Sequence, residues 1–323
     1  MNSILVKLPN WIGDILFSYD LLYSLSQNLD RLVMLTSQEQ SELLQIFPIP
    51  RSEVVTYASN EWPRLKRNTL IKINELGLDS GLLLPNSIGS ALTLRRAGIR
   101  HLYGYDTERR SFLLERSLPC PDYKVPMPEY YLGLLKLFGF QPEHYPVSTS
   151  VVKNKVVLLH PGASKIQRAW NLDRFIQLAE ALRQKGFEVQ FVSGEDLPVG
   201  SFPLKIKPSL KEFSNLLRNC SLFIGNDSGP MHLAQQCGAA VVGIYGPGDP
   251  LVTGPRTLTP HRVIYHSYPC SPCRQKFFKE CNPAPSGKPY CIETITTEEV
   301  LRASLELLAT DITDHTDSPR QGR

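Results

Sequence analysis

Residues 223–234 read FIGNDSGPMHLA, an apolar strand that ends in a small polar turn and runs directly into a helix. Pro230 suits the first turn of that helix, because its missing N–H group is not needed there. The backbone N–H groups of Ser228 and Gly229 would then point outward, and a helix start of this kind binds anions. Asp227 would repel an anion, so two interpretations stay open. Either Asp227 is only the helix N-cap, or it holds hydroxyl groups beside a bound phosphate, as a nucleotide sugar would require.

The alternation of strands and helices extends along the whole chain. In the first half, apolar runs predict strands at 4–8, 31–35, 54–57, 81–84 and 102–105, with helices at 15–27, 38–46, 65–76, 88–97 and 129–137. In the second half, strands are predicted at 155–159, 188–193, 222–225 and 239–245. Helices are predicted to begin at Asn171 and at two capping boxes, 209–212 and 296–299, and the last helix to end near 308.

This order of elements predicts the fold class. Strands that alternate with helices form a mostly parallel sheet with helices on both faces. The sequence therefore predicts an α/β protein with two Rossmann-like, doubly wound domains, residues 1–145 and 146–310, that face a central cleft. A cysteine-containing excursion at 268–293 interrupts the second domain, and the polar residues 311–323 are expected to be a disordered tail.

Composition narrows the class of protein. The 323 residues carry a formal net charge of +4, which permits acidic partners but does not indicate a nucleic-acid partner. Residues 1–8 enter a strand directly, and no apolar run approaches the ~20 residues that a membrane span needs. The seven cysteines are an odd number, and several lie in apolar settings, which suits a reducing compartment. We expect a cytoplasmic protein, or one that is peripheral to a membrane.

Three loops follow strand ends, where ligands of such folds bind: 9–14, 160–170 and 226–230. In the first, Asp14 is either a helix N-cap or a general base kept ionised by the positive end of the helix. In the second, Ser164 and Arg168 suit a pyrophosphate, unless Arg168 is only a solvated surface charge. Glu195 follows another strand and either binds ribose hydroxyls or belongs to a surface loop.

The absence of two motifs limits the chemistry that the sequence supports. No G-x-G-x-x-G run follows a strand, which argues against a dinucleotide oxidoreductase, and there is no D-x-D pair to clamp a metal–diphosphate. A leaving diphosphate would then be stabilised by helix N-termini and cations.

Two further groups of residues each allow two interpretations. Arg95 and Arg109 flank the strand at 102–105 and are either solvated or part of a basic mouth for an anionic acceptor. Four cysteines could hold structural zinc, but their spacing favours packed thiols without metal: Cys270, Cys273, Cys281 and Cys291.

Taken together, the motifs point to one family. They are LPNWIGD at 8–14, PNS at 85–87, HPGA at 160–163, RAW at 168–170, NDSGPMH at 226–232 and YGPGDP at 245–250. The chain resembles the ADP-heptose:lipopolysaccharide heptosyltransferases, glycosyltransferase family 9, over about residues 4–308. The segment from Cys270 looks like the type II enzymes, which add the second inner-core heptose. Two positions depart from the family pattern: Arg168 stands where lysine is usual, and 282–290 lacks the paired histidines often seen there.

The resemblance implies an architecture and an activity. It implies a GT-B fold in which the first domain takes a lipid A–core saccharide acceptor and the second takes ADP-heptose. It also implies inversion of the anomeric centre, no required metal or other cofactor, and transient contact with the inner membrane surface because the acceptor carries a lipid. Two alternatives remain: a GT-B glycosyltransferase with another donor or acceptor, and a non-catalytic, zinc-bearing scaffold.

The resemblance also assigns roles to residues. Asp14 matches the general base, and Asp227 matches the residue that holds heptose hydroxyls. Further donor-binding candidates are Ser164, Arg168, Glu195, Ser228, Gly229, Pro230 and His232. The acceptor-binding candidates are Asn10, Asn86, Ser87, Arg95 and Arg109.

Overall fold

The computed structural model describes residues 2–147, 154–256, 259–273, 276–279 and 281–313. The chain divides into two compact units, Met1–Pro146 and Val147–Arg323. Each unit is built around its own parallel sheet and its own core of aliphatic and aromatic side chains. No described helix is both long enough and apolar enough to cross a bilayer.

The first unit contains a six-stranded parallel sheet. Its strands are β1 (Ser3–Lys7), β2 (Arg31–Ser37), β3 (Ser52–Tyr57), β4 (Ser80–Leu83), β5 (His101–Asp106) and β6 (Arg116–Pro119). They lie in the order β3-β2-β1-β4-β5-β6, which is the Rossmann order. The direction of winding reverses between β1 and β4, so a crevice opens where the loops after these two strands diverge.

The helices of the first unit cover both faces of this sheet. They are α1 (Ile12–Phe17), α2 (Tyr19–Asn28), α3 (Gln38–Ile46), α4 (Arg67–Glu75), α5 (Ile88–Arg96) and α6 (Met127–Leu132), with 3₁₀ turns at Ser111–Leu113 and Gly133–Leu137. The single helix predicted at 15–27 is wrong, because Ser18 divides α1 from α2. Its hydroxyl donates to the Ile15 carbonyl at 2.7 Å, and its backbone N–H is shared between the carbonyls of Asp14 and Ile15, as at a helix end.

The second unit repeats the same architecture. Its strands are β7 (Val156–His160), β8 (Glu188–Ser193), β9 (Leu204–Ile206), β10 (Leu222–Asn226), β11 (Ala240–Tyr245) and β12 (His261–Tyr265). They lie in the order β12-β11-β10-β7-β8-β9, which places the switch point between β7 and β10. The helices are α7 (Leu172–Gln184), α8 (Leu210–Arg218), α9 (Gly229–Gln236), α10 (Pro250–Thr253), α11 (Tyr290–Glu293) and α12 (Thr297–Thr313), with a 3₁₀ turn at Ile166–Arg168.

The structure bears out most predicted elements and corrects several boundaries. Both capping boxes form, with Ser209 and Glu212 on α8 and with Thr296 and Glu299 on α12. Helix α12 continues to Thr313, so residues 311–313 of the expected tail are helical, and 314–323 lie outside the described residues. Three strands were missed, β6, β9 and β12. All three lie at sheet edges and are only partly buried, so they lack a continuous apolar run.

Candidate active site

A pocket of about 420 Å³ lies at the switch point of the first sheet. The loop after β1 contributes Asn10 and Trp11, the first turn of α1 contributes Asp14, and the loop after β4 contributes Asn86. The remaining wall comes from residues 121–131, ending in two tyrosines of α6. All of these residues belong to the first unit, so this pocket is complete within one compact body.

Asp14 lies in the first turn of α1 and is not its N-cap. The N-cap position is Trp11, which makes no side-chain capping bond, and its carbonyl accepts from the Ile15 N–H at 3.0 Å. Burial raises the pKa of Asp14 to about 6, from 3.8. The positive helix end was expected to keep Asp14 ionised, and burial acts against that effect by raising the pKa. At pH 7 the carboxyl is still ionised about ten to one, with a pKa close to that of an efficient general base.

Tyrosines of α6 form the neighbourhood of this carboxylate. Burial, followed by the charge of Asp14, holds the pKa of Tyr131 well above its usual range, so its hydroxyl stays protonated. Tyr130 accepts a hydrogen bond from the Asn86 side-chain amide at 2.7 Å. The Asn86 carbonyl in turn accepts from the Thr107 hydroxyl at 2.6 Å. These bonds fix the loop after β4 against the wall of the pocket.

A buried lysine anchors the loop after β1. Lys7, at the end of that strand, donates to the Asn10 side-chain oxygen at 3.1 Å and to the Leu8 carbonyl. Its ammonium lies 4.4 Å from the centre of the Trp62 ring, an attractive cation–π contact. Burial lowers the pKa of Lys7 to about 7. Lys7 was not among the predicted site residues, because a lysine within a strand gives no signal of burial.

The other predicted acceptor residues do not line the pocket. Ser87 is the N-cap of α5 and accepts from the Ser90 N–H at 3.3 Å. Arg95 donates to the carbonyls of Arg100 and Leu113, and Arg109 is exposed with a positive φ of 56°. The neighbouring Arg110, which was expected to be solvated or part of the same basic mouth, is fully buried and donates to backbone carbonyls of residues 85, 87 and 105. It holds the loop after β4 in place.

A second set of polar groups meets at the switch point of the second sheet. Arg168, from the loop after β7, donates to the backbone carbonyl of Asp227 at 2.6 Å and forms an ion pair with its carboxylate. The Thr253 hydroxyl donates to the other carboxylate oxygen at 3.2 Å. Burial raises the pKa of Asp227, and the charge of Arg168 opposes that rise. Gly248 packs so closely that a Cβ there would lie 2.1 Å from the carboxylate.

The predicted anion-binding turn forms as a helix start without a side-chain cap. Ser228 is the N-cap of α9, so Asp227 is not, and Pro230 lies in the first turn as predicted. The Ser228 hydroxyl donates instead to the Asn226 carbonyl at 3.1 Å. The Gly229 N–H therefore receives no bond from the N-cap side chain, which favours an anion there, whereas Pro230 has no N–H and the Met231 N–H donates to the Ser228 carbonyl at 3.1 Å.

Asn226 is a second missed residue. Its side-chain nitrogen donates to the Pro161 carbonyl at 2.7 Å, and its oxygen accepts from the Trp170 N–H at 2.9 Å. It thereby ties the loop after β7 to the end of β10. His232 is buried in α9, and burial, assisted by the Arg168 charge, lowers its pKa to about 3. It is therefore neutral at physiological pH and is not a phosphate-binding cation.

Ser164 and Glu195 are exposed, and the Glu195 N–H donates to the Ser193 hydroxyl at 3.1 Å. All seven cysteines are free thiols. Burial is the main reason that the pKa of Cys291 rises to about 11, with Cys270, Cys273 and Cys281 contributing in the same direction. Across the described parts of the chain, no group of three or more histidine, cysteine or acidic side chains is arranged to hold a metal ion.

The sequence model of glycosyltransferase family 9 (heptosyltransferase) matches residues 70–282, more than half of the chain. The chain belongs to this family. Lipooligosaccharide heptosyltransferase 2 of Haemophilus influenzae is 26% identical over 298 residues, covering 78% of this chain and 86% of that protein. The Campylobacter jejuni (strain NCTC 11168) protein of the same name is 23% identical over 337 residues, covering 95% and 98%.

Solved structures show the fold of this family 9 glycosyltransferase. The structure of E. coli ADP-heptose lps heptosyltransferase II superimposes with a TM-score of 0.76 at 22% identity, over 97% of this chain and all of that one. A family 9 glycosyltransferase from Veillonella parvula gives the same TM-score at 18% identity, covering 96% and 98%. The predicted family, GT-B fold and enzyme class are thus confirmed. The scaffold alternative is not favoured.

Proposed function

We propose that this family 9 enzyme transfers a heptose from ADP-heptose to the inner-core saccharide of lipopolysaccharide, as a heptosyltransferase II-like enzyme. The observation that carries the proposal is the Asp14 carboxylate, which lines a pocket and has a pKa raised to about 6 by burial. The named activities of the H. influenzae and C. jejuni relatives support heptose as the transferred sugar. We propose further that the transfer inverts the anomeric centre and requires no metal.

In the acceptor step, Asp14 takes the proton from a hydroxyl of the acceptor heptose. The oxygen then attacks the anomeric carbon of the donor, and the bond to the leaving phosphate breaks with its electron pair going to ADP. An ionised carboxylate whose pKa lies just below the working pH accepts such a proton efficiently. Asn10 and Asn86, which line the same pocket, offer amide groups to the remaining acceptor hydroxyls.

In the donor step, the polar groups of the second unit hold the nucleotide sugar. Asp227 presents carboxylate oxygens to heptose hydroxyls, while Arg168 and the start of α9 stabilise the departing diphosphate. The residues Ser228, Gly229 and Pro230 form that start, and we assign His232, as a neutral side chain of the same helix, to the donor site. We assign the exposed Ser164 to the phosphates and the exposed Glu195 to the ribose hydroxyls.

The acceptor carries a lipid, so we propose that the enzyme works at the cytoplasmic face of the inner membrane and contacts that surface transiently. A flotation assay with vesicles that contain the acceptor glycolipid tests this. Recovery of the protein with acceptor vesicles, and not with plain phospholipid vesicles, is the expected result.

The activity is tested by incubating the protein with ADP-heptose and heptose-deficient lipopolysaccharide, with and without EDTA. The expected result is ADP release, with a mass increase of one heptose on the acceptor and no effect of the chelator. UDP- and GDP-sugars serve as matched donors. Turnover with one of these and none with ADP-heptose would replace the proposed donor, and loss of turnover in EDTA would reveal a required metal.

A further inference from the structure

Two large aromatic side chains are exposed on the pocket that Asp14 lines. Trp11 is 70% exposed and Tyr123 is 67% exposed, although both belong to the pocket wall. Large apolar groups that stay in contact with water around a concave site mark a surface that a ligand covers. Aromatic rings are also rigid, so they gain contact area at little cost in conformational entropy.

The rest of the wall mixes polar and apolar groups. Asn10, Asn86, Asp14 and Asp122 contribute amide and carboxylate groups, and Leu84, Val125, Met127 and three prolines contribute the apolar surface. A sugar matches this mixture, because its ring has apolar C–H faces and a rim of hydroxyl groups. An acyl chain does not, since it would leave amides and carboxylates without hydrogen-bond partners.

Trp11 is also coupled to the reacting group through the backbone. It is the N-cap of α1, and its carbonyl accepts the N–H of Ile15, the residue after Asp14. One turn of helix therefore links the ring to the carboxylate. A sugar placed on the ring is placed at the same time with respect to Asp14.

We propose that Trp11 and Tyr123 bind the acceptor saccharide by stacking on the C–H faces of its sugar rings, and so position the acceptor for Asp14. This inference rests on the proposed heptosyl transfer and names the side chains that select the acceptor. The two residues are positioning residues: they set the affinity for the acceptor and leave donor binding unchanged.

The experiment uses a deacylated core oligosaccharide as the acceptor, so that only the sugar is present. Trp11→Ala and Tyr123→Ala are each expected to raise KM for this acceptor about tenfold, while the Kd for ADP stays unchanged. The phenylalanine variants of both positions should recover most of the affinity, since the ring is kept. Phe112→Ala is the matched control, because Phe112 is 74% exposed in the same unit but does not line the pocket.

A binding measurement separates this inference from the proposed function. The chain has three tryptophans, and the oligosaccharide without donor should change the emission of the wild type but not of Trp11→Phe. Unchanged KM in both alanine variants would overturn the inference, as would a defect seen only with the acylated acceptor, which would indicate an acyl-chain site. A saturable change in Trp11 emission without any turnover of ADP-heptose would support the stacking site and overturn the proposed transfer.

Discussion

Replacing Asp14 by asparagine should slow transfer severely and at the same time stabilise the protein. The amide has the size of the carboxyl but cannot take a proton from the acceptor hydroxyl. A positioned general base accelerates a reaction by about 10²–10⁴-fold, so kcat should fall by that factor, or about 3–5 kcal/mol. Binding of ADP should remain, because Asp14 belongs to the first unit and the proposed donor groups to the second.

The gain in stability follows from the pKa. Burial raises the pKa of Asp14 from 3.8 to about 6, so the folded state binds the proton more tightly than the unfolded chain does. The stability linked to this proton is present below pH 4 and is lost as the pH rises through 6. At pH 7 the ionised carboxylate therefore costs the fold up to about 3 kcal/mol, which the neutral asparagine avoids.

The pH dependence of transfer gives the matching kinetic test. Since only the ionised carboxylate is a base, kcat/KM should rise about tenfold between pH 5 and pH 7, with a midpoint near 6. Asp122→Asn, which changes the other carboxylate of the pocket, should keep that midpoint. Initial rates of ADP release between pH 4.5 and 8.5, with urea unfolding at pH 7, measure both effects. A midpoint near 4, or normal turnover by Asp14→Asn, would refute the assignment.

Two further outcomes follow from buried charges. Arg168→Met should lower the free energy of unfolding by about 3–5 kcal/mol, because the buried Asp227 carboxylate loses its cation. Adding Asp227→Asn should restore most of that free energy, and urea unfolding of the single and double variants measures both changes. Lys7 has a pKa lowered to about 7, so the unfolded chain holds its proton up to higher pH than the folded protein does. Between pH 7 and pH 9 the free energy of unfolding of the wild type should therefore rise by about 2 kcal/mol relative to that of Lys7→Met. Denaturation curves of the two proteins that show no such rise would contradict the burial of this ammonium.

The fold was predictable where burial leaves a continuous apolar run. Strands β1, β7 and β10 lie in the middle of their sheets, so each contains a continuous apolar run, at residues 4–6, 156–159 and 222–224. The edge strands β6 and β9 have no such run, and no periodicity in four or three residues could reveal them.

The sequence predicted where the candidate site residues lie along the chain, but not which residues they contact. Asp14 and Asp227 were found because each follows a strand end. Their surroundings depend on residues far along the chain, such as Arg168, which lies 59 residues from Asp227. The contrast between Arg109 and Arg110 has the same origin, since two adjacent arginines look alike until the fold buries one of them.

The ion pair between Arg168 and Asp227 has a consequence for partial ligands. In the proposed donor site, free heptose would offer hydroxyls to Asp227 but no anion to replace it beside the guanidinium, so its binding would leave the partly buried Arg168 without a counter-charge. A nucleotide diphosphate sugar would supply hydroxyls for Asp227 and an anionic diphosphate for Arg168 together, so neither charged side chain would lack a partner. If Asp227 and Arg168 hold the donor as proposed, the resting contact would discriminate against the unactivated sugar before any chemistry begins.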